Sequence, residues 1–521
     1  MKQYVWLIAG ISLLAIGGSI HGQESWLVTR GNLQRTSAAA KANFFEKRVA
    51  WQRPLLMDQY DGQLDPEKEA QVALTKALAD APPFAVPGFY PLIAKDQCIY
   101  RSYRDVRSVA LVPLVIKDDV ANEELKVKPS EIAWKTIPHY RSLSVLLRKS
   151  STKAPMATVL DMLAANKQSE LIWSNANIGA LNCDGETVVV IDDFAFPIIE
   201  LQPKKGFPIN LGDLKFPLFG NRLYAYDIVS GKILFDTDND FGANVPFKDS
   251  FFLGAPLILD SKLLALNEKA GELRIVQFDI NRKTLREIYP RNVDKTAVLA
   301  KVPANEQILR SPLRRSQAAH MALAGDLLVV PTHFGILLGV DRAKLTVSWE
   351  YRYREEKVQP PPAPLWQAAC PIVAGDRIVF TAADSGEIHC IDLKGKKQWT
   401  AAADKALYLA TVHDGIVMLV GQTECRGLSL KDGMQKWRLE VGVPAGVGVL
   451  DGAQYLVPLR RSATTNGPTI WGIDVAKGTK VRRVDVPHPD AIGNLALHRG
   501  MLVSQSATHI AAFPLGADLP K

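Results

Sequence analysis

The sequence predicts an all-β fold, an eight-bladed β-propeller of four-stranded antiparallel blades. Three observations predict it. From about residue 90 onward, short β-rich runs alternate with turns rich in Gly and Asp. A pattern of Asp, turn Gly and terminal aromatic recurs, with Asp341, Asp392, Ser429 and Asp474 spaced by 51, 37 and 45 residues. Such a period with four strands per unit belongs to a propeller blade and not to a helical solenoid. Finally, the last unit lacks an outer strand, while the N-terminal stretch offers an unattached one.

At the N-terminus, Lys2 precedes an apolar stretch, Tyr4 to Ile16, and then the small residues Gly17, Gly18, Ser19 and Gly22. That is the order of a secretory signal, so residues 1–22 are expected to be a signal peptide cleaved near Ser19 to Gln23, and 23–521 the propeller domain. The apolar stretch is short for an anchor, and beyond residue 22 no apolar run reaches membrane-spanning length. Val49-Ala-Trp51-Gln-Arg53 reads as an orphan fourth strand. Pairing it with the last blade closes the ring and removes an open sheet edge. Residues 64–80, rich in Ala, Leu and charge with helical periodicity, form the first insertion.

The blades are expected at about 90–136, 170–237, 254–290, 320–351, 368–400, 406–438, 446–486 and 492–514. The unit running from Pro371 to Trp399 is the best formed, with hairpin turns at Ala-Gly-Asp (374–376), Asp-Ser-Gly (384–386) and Lys-Gly-Lys (394–396). Leu223 to Phe235 repeats its grammar through Asp227 and Gly231. Gly335 to Asp341 leads to Trp349, and Arg426 to Trp437 carries Ser429 where its siblings have Asp. The copy at Ile470 to Gly478 keeps Asp474 and Gly478 without the Trp, and the copy at Leu273 to Asp279 has lost the turn Gly. A lone blade leaves two apolar faces exposed, so blades must stack around an axis. The Asp can accept hydrogen bonds from the following turn, Gly supplies its positive φ, and the Trp packs between neighbouring blades. Further insertions fall at 154–167, which reads as a short amphipathic helix, and at 197–217, a loop with four prolines. Pro360 to Pro364 is a stiff spacer between two blades.

Composition narrows function more than it defines it. With 62 Lys+Arg against 54 Asp+Glu, the net charge of +8 is modest for 521 residues, and no dense basic stripe points to nucleic acid. The pairs Arg314-Arg315, Arg460-Arg461 and Arg482-Arg483 read as solvated turns, and Arg101 and Arg104 as surface residues. Cys98, Cys183, Cys370, Cys390 and Cys425 are odd in number, with no C-x-x-C and no adjacent pair, so core thiols are expected. Nine histidines form no H-x-x-x-H or H-E-x-x-H pattern, and His389 and His509 are expected as satisfied core or rim residues. Asp192-Asp193 and Asp236-Thr-Asp-Asn-Asp-Phe-Gly242 resemble fragments of a calcium loop, but the distal Glu is missing. No G-x-S-x-G elbow or P-loop is present.

The recurrent Ala-x-Asp-x-x-x-Gly-x-x-x-Trp-like signature over about 90–514 resembles the PQQ-like (pyrroloquinoline-quinone-type) β-propeller repeat family. That family includes quinoprotein alcohol dehydrogenases and a non-enzymatic outer-membrane assembly propeller. Trp26 to Asn32 and Tyr90 to Arg101 are similar to segments of large exported propellers of planctomycete-type bacteria. Within the family, dehydrogenases hold the quinone in the axial funnel against a disulfide of adjacent cysteines, over a calcium ion, with an Asp as base. Adjacent cysteines and a C-x-x-C-H haem motif are both missing here. The resemblance therefore implies an exported, non-catalytic, monomeric scaffold, periplasmic or secreted, binding an envelope protein partner. It implies no catalytic, cofactor-binding or metal residues and no expected cofactor. The alternative is a quinone-dependent alcohol or sugar oxidoreductase with diverged ligands, which alone calls for PQQ and calcium. A carbohydrate-binding module is suggested only by the ten Trp, most of which fall at blade-packing positions.

Overall fold

Runs such as Leu327–Pro331 and Arg377–Thr381 are apolar on both faces and end at Gly turns, which suits strands covered on both sides. The computed structural model describes residues 28, 30–39, 49–55, 79, 85–103, 105–118, 123–136, 171–192, 220–237, 247–280, 293–355, 357–358, 370–498 and 501–514. These build eight antiparallel sheets, each meandering from an inner to an outer strand. Blade 5 shows the pattern: Ile372–Ala374, Arg377–Thr381, Glu387–Asp392 and Lys397–Ala402, in that order. Inner strands are buried. Outer strands such as Thr346–Arg352 and Gln435–Glu440 are largely exposed, in keeping with their polar sequences.

Every apolar cluster but a small one of four alanines bridges consecutive blades. One joins blades 1 and 2 through Ile99, Trp134, Val190 and Tyr224, and another joins blades 5 and 6 through Cys390, Trp399, Leu419 and Leu428. A third seals blades 7, 8 and 1. The core is thus a ring of interfaces, as stacking of two-faced sheets demands. Closure is as expected: Trp51–Pro54 pairs antiparallel with His509–Pro514 as the outer strand of blade 8. Tyr103 Oη donates to the Ala507 carbonyl at 2.8 Å and Gln505 Nε2 to that of Arg101 at 2.8 Å, tying blade 8 to blade 1.

Blade by blade, the repeat residues do what their chemistry allows. Asp227, Asp341, Asp392 and Asp474 each accept from amides of the turn that follows. Trp134, Trp349, Trp399 and Trp437 donate from Nε1 to the carbonyls of Ile228, Leu393, Leu430 and Val475 in the next blade, at 2.8–2.9 Å. Each indole lies against a turn glycine there, Gly231, Gly395, Gly433 or Gly478, all at positive φ.

The structure adds what the sequence did not predict. The outer strand of blade 3, Val293–Lys301, lies beyond the expected boundary at 290. A two-stranded ribbon, Leu114–Asp118 and Glu123–Val127, rises between the third and fourth strands of blade 1. Residues 154–167 and 197–217, the segment 64–80 apart from Ala79, and the signal segment 1–22 lie outside the described residues.

Candidate functional site: a plugged hub

In a closed propeller, the free edge of each innermost strand faces the axis. Here those edges are engaged by the chain's own N-terminal segment. Leu323, Val373 and Leu450, on the inner strands of blades 4, 5 and 7, donate their amides to the carbonyls of Leu33, Gln34 and Ser37 at 2.9, 3.1 and 2.7 Å. Thr411 Oγ1 in blade 6 donates to the Thr36 carbonyl at 2.7 Å. Val28 bridges Asn182 in blade 2, and Ala38–Ala39 pairs in parallel with Leu450 and Asp451. Arg30, Gly31, Arg35 and Ser37 all take positive φ, so the segment winds through the hub and is not a regular strand.

Two guanidiniums come with it. Arg30 Nη1 donates to the carbonyls of Leu409 and Ala410, and Arg35 Nε to that of Met321 at 3.0 Å. Around them stand Tyr90, His320 and Cys370. Burial, then Arg35 and Arg30, hold the His320 imidazole well below its usual range and so neutral. Burial raises the Cys370 thiol and the Tyr90 phenol, with the nearby arginines opposing.

A second polar cluster fills the interfaces of blades 3, 4 and 5. Arg314 pairs with Glu268 at 2.8 Å and donates to the Glu306 carbonyl. Arg354 bridges Glu306 at 2.6 Å and Asp384 at 2.9 Å. Asp384 also accepts from Tyr353 Oη at 2.8 Å and from the Gly335 amide at 2.9 Å. The cluster holds two arginines and three carboxylates, every one with a partner and all buried. This is the signature of a fixed inter-blade clamp. His333, buried beside it, is lowered to about 4 by burial, with Asp384 opposing.

Several residues singled out in the sequence prove to be placed differently. Arg101 is buried and ion-pairs with buried Asp192 across blades 1 and 2, so it is no surface residue; Arg104 and Asp193 lie outside the described residues. Arg314 and Arg315 are likewise buried, because each guanidinium lies over an aromatic ring, Phe334 and Phe251, and Arg314 meets Glu268. Arg460 and Arg461 are exposed as expected but lie on the strand Gln454–Ser462 and not in a turn. Arg482, half-buried facing Asp451, and exposed Arg483 lie on the strand Thr479–Asp485, because the pairs continue ladders begun by the apolar residues before them. Asp236 is buried at the end of its strand, while Asp238 and Asp240 are outside the described residues. His389 is a core histidine, stacked on Phe380 and bonded to Tyr351 Oη at 3.2 Å. His509 is half-buried and bonded to Thr508 at 3.0 Å. All five cysteines are buried free thiols, with Cys183 and Cys390 pushed up to about 12 by burial. Sequence reasoning misses both hub arginines; Arg30 falls within the Trp26–Asn32 stretch that carries a resemblance, and Arg35 lies beyond it.

The family's quinone and calcium can be tested against this site. An oxygen-rich calcium shell needs converging carboxylates and carbonyls. The hub instead presents guanidiniums, an imidazole and a thiol, and the chain's own backbone occupies the inner strand edges of blades 4, 5 and 7. Among the described residues, no three His, Cys, Asp or Glu group as metal ligands. These residues do not fit the group. No helix among them is long and apolar enough to cross a membrane.

Residues 363–495 match the family described as outer membrane protein assembly factor BamB. No curated protein matches the sequence. Among solved structures, a europium-containing methanol dehydrogenase is similar with a TM-score of 0.52 at 10% identity, covering 95% of this chain and 99% of its own. The computationally designed Ika8 protein gives 0.45 at 10% identity, covering 83% and 96%. BamB from Moraxella catarrhalis gives 0.31 at 14% identity, covering 56% and 91%. At such identities the dehydrogenase likeness speaks to fold alone, and the other two superpose too loosely to add to it. With eight blades, the Asp–Gly–Trp linkage between them and the match over 363–495, the chain is a PQQ-like β-propeller.

Proposed function

We propose that this chain is an exported, non-catalytic propeller that binds a protein partner in the cell envelope. The plugged hub carries the reading: backbone of residues 33–37 takes the amides that would otherwise face an axial funnel. Arg314, Arg354, Glu268, Glu306 and Asp384, buried between blades 3 and 5, are bonded within their own cluster, which leaves them holding the ring together. What remains for recognition is the periphery, where rim loops and the blade 1 ribbon with exposed Val112, Val115 and Leu125 offer contact surface. The outer-membrane assembly factor description over 363–495 supports a protein partner in general terms.

The test has two arms. Full-length protein is incubated with pyrroloquinoline quinone and Ca²⁺, desalted and assayed for retained chromophore and dye-linked oxidation of alcohols and sugars. No retained chromophore and no turnover are expected, and either one overturns the non-catalytic reading. In the second arm, photo-crosslinkers at Val115 and Leu125 are activated in cells, and any crosslinked protein is purified and recombined with the chain. A complex that re-forms from pure components supports the scaffold role, and the absence of any crosslink from the ribbon removes this surface from it.

A further inference from the structure

The hub contains a buried positive charge that no described residue neutralises. Arg30 is 4% exposed, donates only to the carbonyls of Leu409 and Ala410, and forms no ion pair among the described residues. Carbonyl dipoles offset part of the desolvation of a guanidinium, but a buried charge ordinarily has a counter-charge. His320, on which the Arg35 and Arg30 charges act, is fully buried, and neither of its ring nitrogens has a hydrogen-bond partner among the described residues. It immediately precedes Met321, whose carbonyl accepts from Arg35, so the imidazole sits where the N-terminal segment meets the inner edge of blade 4. A neutral imidazole still has one N–H to donate and one lone pair to fill. Arg30 and His320 thus bring to the hub a buried cation and a buried imidazole whose bonding capacity no described residue takes up.

We propose that Arg30 and His320 bind a small oxyanion at the hub, enclosed between the N-terminal segment and the inner strands of blades 4 to 6. The guanidinium offers forked N–H donors suited to two oxygens of one anion. The imidazole N–H supplies a donor from a second direction. A hydrogenphosphate meets both and can return its own O–H to the imidazole lone pair, and a carboxylate meets the donors only. The anion is bound as a structural ligand that secures the segment, independently of whether the scaffold reading holds; quinone binding overturns that reading and leaves this site untouched.

The experiment uses the full chain, desalted into a chloride buffer. After denaturation in urea, released anions are measured by ion chromatography, with on the order of one oxyanion per chain expected. Separately, thermal unfolding is followed in phosphate, acetate and chloride at matched ionic strength. A midpoint raised by several degrees in phosphate alone identifies the hydrogenphosphate class, and an equal rise in acetate the carboxylate class. Arg30→Met and His320→Phe are expected to abolish the released anion and the salt-specific shift. Because either variant can fail to fold, the wild-type measurements stand on their own. No released oxyanion together with equal midpoints in all three salts overturns the proposal, as does full retention of the anion by folded Arg30→Met.

Discussion

The indole of Trp399 in blade 5 rests on Gly433 of blade 6 and donates from Nε1 to the Leu430 carbonyl at 2.8 Å. One side chain thus supplies both apolar contact and a hydrogen bond across an interface. Trp399 is 7% exposed, so Trp399→Ala is expected to destabilise the ring by about 3–5 kcal/mol. A β-carbon at Gly433 would stand 2.6 Å from the indole at a φ of +74°, so Gly433→Ala forces the ring away. The two effects are expected to be strongly non-additive, which urea unfolding of the single and double variants measures.

Segment 30–39 carries its own prediction. Deleting residues 24–53 removes both the plug and the outer strand of blade 8, and the ring is expected to open. Replacing Thr36 by Pro and Ser37 by Pro is a finer test, since both residues hold carbonyls used by the blades and Ser37 has a positive φ that proline cannot adopt. The Leu323, Val373 and Leu450 amides are then expected to lose hydrogen-exchange protection, while those of outer strands keep theirs.

The Arg101–Asp192 pair joins blades 1 and 2 with both side chains almost fully buried. Asp192→Ala leaves a guanidinium in an apolar interface and is expected to cost about 3–5 kcal/mol. The double variant Arg101→Met with Asp192→Leu removes both charges and is expected to recover most of that loss. Denaturant midpoints for the three variants check the prediction.

Acid sensitivity follows from buried imidazoles. His333 and His389 are each lowered from 6.5 to about 4, chiefly by burial. Protons then bind the unfolded chain first. Stability is complete above about pH 6.5, falls as the unfolded imidazoles take up protons below it, and finishes falling as pH passes through about 4. His389→Gln is expected to flatten the slope of stability against pH between 6.5 and 4, measured by urea unfolding across that window.

Blades were legible because their demands are local. The turn needs Asp and Gly within a few residues, and the indole needs a small residue one blade away, so each copy writes the same letters. Trp51 was legible as a strand without a sheet. The hub was not: Arg30 meets Leu409 across 379 positions, and nothing near residue 30 marks a partner so remote. Arg314 and Arg315 were misplaced for a related reason. A pair of arginines looks solvated until Glu268, Phe334 and Phe251 are brought around it from other strands.

The threading of residues 30–39 through the axis also constrains the order of assembly. The earliest part of the described chain to be synthesised finds its partners among blades made much later, and its neighbour Trp51–Pro54 must wait for the final strand at 509–514. The ring can therefore close only once the strand at 509–514 has been made, although every other blade precedes it in the chain. A molecule built this way gains its rigidity in one late step, when both of its remote ends are in place.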